Sequence, residues 1–84
     1  MYSMEEQIGK IIHYYDKIGV AVVRLEGPLK VGDTVHVKGK AADFEQGVES
    51  MQVDRKDVDS GKKGEEVAVK LVEKAKEGDL VYKK

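Results

Sequence analysis

The chain contains no cysteine, no tryptophan and no asparagine, and only one proline and one phenylalanine in 84 residues. Without thiols, neither a disulfide nor a thiolate metal site can support the fold. Long apolar runs are missing too. None approaches the ~18 residues of a membrane span, so no membrane partner is expected. The opening stretch MYSMEEQIGK has neither the basic start nor the apolar centre of a secretory leader, and the chain reads as cytoplasmic. An excess of one charge is also absent. Lys and Arg total 15 against 16 Asp and Glu, for a net charge of −1. That balance excludes a polycation binding nucleic acid by bulk charge, and it excludes an acidic solvating tail.

What is present favours β structure. Val occurs 13 times, against four Leu and five Ala, and branched side chains fit a pleated surface better than a helix. Nine glycines fall singly along the chain, as turn and bulge punctuation does. Charged residues make up 37% and are mostly Lys and Glu, a composition that leans toward thermophile proteins. The length allows one small domain, residues 1–84, which buries little more than ~60% of its unfolded surface. Such a domain needs a closed architecture or a partner.

Alternation of apolar and polar residues places strands at residues 8–15, 20–26, 34–38, 44–54, 67–71 and 80–82. Val20 to Glu26 begins as a near-continuous apolar run, which suits a strand covered on both sides for part of its length. Leu29 to Asp33 reads as a tight connection with two buried side chains. In 44–54, Val48 and Met51 are three apart, and a bulge near Ser50 would turn both to the core. Arg55 to Gly64 reads as a charged loop, and Glu73 to Glu77 as a single helical turn. The expected fold is all-β: a small closed six-stranded Greek-key barrel, since closure removes exposed edges. An SH3-like barrel and a partly open five-stranded barrel are the alternatives.

Four segments carry a family resemblance. Gly19-Val-Ala-Val-Val-Arg-Leu-Glu-Gly-Pro-Leu-Lys-Val-Gly-Asp33 is similar to the β-barrel second domain of translational GTPases of the elongation factor Tu and initiation factor 2 type. Val48 to Val58, Ser60 to Val69 and Glu73 to Lys83 resemble that domain's later strands and turns, in the same order. Gly32 and Gly78 would turn the backbone tightly, and Asp33 and Asp79 could accept hydrogen bonds from nearby amides. The resemblance implies a stand-alone translation-factor-like barrel contacting tRNA, rRNA or a ribosome-associated protein. The GTPase part is missing, because no Gly-x-x-x-x-Gly-Lys-Ser/Thr loop occurs, so no nucleotide and no cofactor is expected. Similar barrels also occur at the C-terminus of collagenase-like peptidases, and the alternative is an accessory or protein-interaction module of such an enzyme.

Catalytic chemistry is not legible. His13, beside Asp16, and His36 offer no metal cluster. Ser3, Ser50 and Ser60 lack a nucleophile-elbow context, and most carboxylates have a Lys nearby, as solvated surface pairs do. The chain therefore reads as a non-enzyme without a metal. Charge is uneven along it: residues 31–54 are acidic, whereas Arg55, Lys56, Lys62 and Lys63 stand against only Asp57 and Asp59. Those four cations, with Lys17 and Arg24, are the candidate RNA or partner contacts. Arg24 could stack, clamp a carboxylate, or simply pair with Glu26 or a cross-strand acid. Tyr14, Tyr15, Tyr82 and Phe44 could form a stacking platform. Tyr14 and Tyr15 point to opposite faces, and Tyr15 is the aromatic candidate.

Overall fold

A computed structural model describes residues 6–40 and 42–84; the leader reading and Ser3 lie outside them. The described residues form ten strands. They are β1 (Glu6–Tyr15), β2 (Val20–Leu25), β3 (Leu29–Lys30), β4 (Thr34–Lys38), β5 (Asp43–Gly47), β6 (Met51–Val53), β7 (Lys56–Val58), β8 (Ser60–Gly61), β9 (Glu66–Lys70) and β10 (Leu80–Lys83). Eight make one curled antiparallel sheet in the order β5-β4-β10-β1-β2-β9-β6-β7, and β3 pairs with β8 separately. The all-β expectation holds. The closed six-stranded barrel does not, since β5 and β7 are edges of an open sheet.

The extra strands have local causes. The predicted strand 44–54 is two strands, because Val48 spends its backbone groups elsewhere: its N–H donates to Asp33 O and its carbonyl accepts from Gly32 N. Val48 and Met51 both reach the core, through this break and not through a bulge at Ser50. The predicted loop 55–64 holds β7 and β8. A two-residue turn at Asp54-Arg55, with φ of 52° and 66°, has the positive dihedrals of a hairpin turn that matches strand twist. In the connection 29–33, Leu29 is buried and Val31 exposed. Residues 73–77 form no helix. Their neighbours Gly78 and Asp79 exchange backbone hydrogen bonds with Ile11, at 2.7 and 2.8 Å.

β1 bends the sheet. Its register slips between Gln7 and Gly9 against β10, and between Ile11 and His13 against β2. Such bulges increase local twist. They turn Ile8 and Ile11 inward and leave Ile12 and His13 outward. A Cβ at Gly9 would lie 2.5 Å from Val23 Cγ1, so only glycine lets the strand pass there. The core inside the curl is Ile8, Ile11, Val23, Leu25, Leu29, Val35, Val37, Phe44, Val48, Met51, Val67, Val69, Leu71 and Val81 with three alanines.

One turn recurs three times. In Lys30-Val-Gly-Asp33, Lys62-Lys-Gly-Glu65 and Lys76-Glu-Gly-Asp79, the acid's N–H donates to the lysine carbonyl at 3.0–3.1 Å. The lysine's N–H donates back to the acid's carboxylate at 2.8–3.0 Å. The glycines have φ of 100°, 93° and 94°, which a type II turn demands at its third position. The expected roles of Gly32, Gly78, Asp33 and Asp79 are therefore observed, and Lys62 proves to be the first residue of a third copy. These turns launch β4, β9 and β10.

The open side of the curl is spanned by Gln46. From edge strand β5 its Nε2 donates to Lys70 O, and its Oε1 accepts from Val72 N, both at 2.8 Å. The side-chain amide pairs with β9's end much as a peptide group would.

Three expectations follow. Gly78→Ala strains a left-handed residue and lowers stability by about 1 kcal/mol or more. Asp79→Ala removes a charge-assisted bond from a nearly buried carboxylate and costs about 1.5–3 kcal/mol. Thermal melting should rank Asp79→Ala below Glu65→Ala, whose carboxylate is more exposed; the reverse order would contradict this. Gln46→Leu strands two backbone groups and should cost about 1–3 kcal/mol, a melting shift of several degrees. An unchanged melting temperature would show that the span contributes nothing.

Candidate functional site

The outward face of β1, β2 and β9 departs from the usual polar exterior of a half-covered sheet. Alternation sends Ala21, Val23 and Leu25 to the core, so Val20, Val22 and Arg24 point out. Strand register arranges the outer face in rungs. Lys10, Arg24 and Glu66 form a charged rung. His13, Val22 and Ala68 form the next, and Tyr15, Val20 and Lys70 the third. Beyond the third rung, Leu71 N donates to Gly19 O, which carries the β2–β9 pairing on to the segments that hold Ile18 and Val72. Exposure there is high: 48% at Tyr15, 60% at Ile18 and 72% at Val72.

Tyr15 is held in place. Its ring meets the His13 ring edge-on, with centroids 4.3 Å apart, and His13 Nδ1 lies 3.2 Å from Glu77 Oε2. The partner of His13 is therefore Glu77 from the 71–79 segment, not Asp16. Tyr14, on the opposite pleat face, is half-buried and lines an open hollow of about 680 Å³ with Ala42, Lys74, Ala75, Lys76 and Asp79. Phe44 is in the core, and Tyr82 stands on the exterior with Lys38 Nζ 6.0 Å from its ring centre. The four aromatics do not share a platform.

The six candidate cations divide between the two ends of β2. Lys17 is in the β1–β2 turn, close to Tyr15. Lys62 and Lys63 are in the turn before β9, which bonds to Leu25 at the far end: Leu25 N donates to Glu65 O and Gly64 N to Leu25 O. Arg55 tips the β6–β7 hairpin, whose register against β9 points it to that same far end, with Lys56 beside it. Arg24 faces Glu66 directly, the cross-strand acid among its expected partners. Asp54, Asp57, Asp59, Glu65 and Glu66 are interleaved with the far-end cations. Acids therefore accompany these cations along the chain. Sequence reasoning missed Ile18 and Val72, which lie in a turn and a linker and show no strand alternation.

A second polar cluster is on the β4–β5 exterior. His36 Nε2 hydrogen-bonds Asp43 Oδ1, and its Nδ1 is 3.9 Å from Glu45 Oε2. Glu45 also pairs with Lys84 at 3.1 Å. The hydrogen bond from His36 holds the Asp43 carboxyl below its ordinary range, helped by the nearby His36 and Lys38 charges and opposed by a desolvation effect. Asp43 does not line the hollow. Among the described residues, no group of three or more His, Asp or Glu side chains could hold a metal ion.

This geometry defines a small all-β module: a curled sheet around one core, with an apolar exterior patch at one end. No protein-family model matches the chain. It is 46% identical over 77 residues to an uncharacterised protease of Methanocaldococcus jannaschii, covering 90% of this chain and 19% of that protein. It is 30% identical over 78 residues to a collagenase of Porphyromonas gingivalis, covering 90% of this chain and 22% of that protein. The chain thus spans about a fifth of the length of these curated relatives. Two crystal structures share its fold, both of the C-terminal domain of a Geobacillus thermoleovorans protein assigned to the U32 peptidases. One has a TM-score of 0.88 at 21% identity and covers 94% of this chain and 92% of that domain. The other, the selenomethionine form, has a TM-score of 0.85 at 20% identity and covers 90% and 96%.

These findings overturn the translation-factor reading. The relatives are proteases, and the shared fold is that of a U32 peptidase C-terminal domain. The quoted segments are apolar strands and tight glycine–acid turns, which the physics of a small β fold requires in any family. The tRNA, rRNA and ribosomal partners expected from that resemblance have no support in the relatives.

The His36–Asp43 pair has a pH signature. A carboxyl held below its ordinary range stabilises the fold above its unfolded pKa, and loses that contribution as pH falls through its folded value. Asp43→Asn should therefore be less stable than the parent at neutral pH, with the gap closing below about pH 4. Urea midpoints across that range read it out; a gap that is constant with pH would contradict the assignment.

Proposed function

We propose that this chain is a non-catalytic accessory module of a collagenase-like peptidase of the U32 type. The observation that carries the reading is the 46% identity over 77 residues, confined to about a fifth of a protease. Likeness to structures that are themselves C-terminal domains supports it. The side chains suited to catalysis have other engagements: His13 with Glu77 and Tyr15, His36 with Asp43 and Glu45. The curled sheet serves as a rigid body that presents a surface, and peptide-bond chemistry belongs to a separate catalytic part.

The test uses the Porphyromonas collagenase. Removing its matching segment should lower its kcat/KM on gelatin by about tenfold or more, roughly 1.4 kcal/mol of transition-state stabilisation. Restoring the gap with this chain should recover most of the loss, while this chain alone should cleave nothing. Gelatin hydrolysis by the isolated chain, or full activity without the segment, would refute the reading.

A further inference from the structure

We propose that the outer face around Tyr15, Ile18 and Val72 is the surface on which the catalytic part of the peptidase seats this module. The proposal rests on the accessory-module reading and adds the location of the contact.

Three observations converge on this face. First, the run Val20-Ala-Val-Val is the pattern of a strand buried on both sides. The core covers only one side of it. On the other, Val20, Val22 and Ala68 are only half-covered. Second, the large exposed apolar side chains among the described residues are Ile12, Tyr15, Ile18, Val31 and Val72. Tyr15, Ile18 and Val72 belong to this end of the sheet, whereas Ile12 sits at the bulge of β1 with Lys10 and Arg24. Concentration of that kind marks an interaction surface, whereas single exposed apolar residues are ordinary. Third, the patch is preorganised. Glu77 holds His13, His13 holds Tyr15, and Gln46 pins the backbone of Val72. A fixed aromatic anchor loses little side-chain freedom on binding. The charged rung of Lys10, Arg24 and Glu66 borders the apolar rungs. An apolar aromatic centre with a charged rim is how interfaces are built.

The occupant follows from relative sizes. In the curated relatives the matching segment is 19–22% of the protein, so a body about four times larger accompanies this fold there. Domains of one chain commonly meet over roughly 600–1,500 Å². A patch spanning three strands and their turns is of the right kind for such a contact.

The experiment replaces the matching segment of the Methanocaldococcus protease with this chain and compares the chimera with the isolated chain by hydroxyl-radical footprinting. Tyr15, Ile18 and Val72 should lose most of their labelling in the chimera, while Val31 labels equally in both. An Ile18→Asp/Val72→Asp chimera should regain labelling at Tyr15, with the isolated variant melting like its parent. Equal labelling of the three residues in both contexts would overturn the proposal. If protection then appears elsewhere on the chain, the accessory reading survives and only this face is wrong. If it appears nowhere, both fail. An isolated chain that sediments as a dimer with these residues already protected would also overturn the proposal, since a second copy would then be the occupant.

Discussion

The structure depends on a reciprocal pair of hydrogen bonds repeated at three places. In each Lys-x-Gly-acid turn the backbone closes on itself, and the acidic side chain returns to cap the turn's first amide. The positive φ at the glycine is possible because no Cβ opposes it. Each turn aims the strand that follows, so β4, β9 and β10 leave in directions set by four-residue units. Two of these strands flank the first half of the molecule's wall, with β10 between β4 and β1. The third lies against β2 and fixes its outer rungs.

The curl follows from these directions and from β1. A small core can be enclosed by a sheet only if the sheet bends, and the two bulges of β1 supply the bend at the centre of the strand order. The bend brings β5 near the end of β9, yet residues 48–50 leave the sheet to bond with the 30–33 turn. Between β5 and the end of β9 one glutamine amide makes the link. That single link leaves the sheet open, and it holds the segment after β9 in a position where Val72 faces outward. Architecture and candidate surface are thus linked through the same residue.

Charge shows how far a linear reading reaches. Arg55, Lys56, Lys62 and Lys63 are close in sequence and look like a phosphate-facing loop. In the fold they belong to two separate turns, the β6–β7 hairpin and the Lys62–Glu65 turn. Exposed apolar side chains at Tyr15, Ile18 and Val72 favour a protein surface over nucleic acid. Part of this was legible in advance, since the apolar run of β2 already called for cover on both faces over part of its length, and Tyr14 and Tyr15 were expected to face opposite ways, with Tyr15 the aromatic candidate.

Much of the module was determined by the sequence alone: the all-β class, the positions of β2, β4 and β9, the inward set Val35, Val37, Val67 and Val69, and the turns at Gly32 and Gly78. These are local properties, set by pleat alternation and by the dihedral freedom of glycine. Only the tertiary structure decided how many strands there are, whether the sheet closes, and which residues share a face. Gln46 meeting Val72, Glu77 reaching His13, and Leu71 meeting Gly19 are contacts between segments 26–64 residues apart. No pattern within a strand encodes them, because they arise where separate turns and bulges deliver the chain in space.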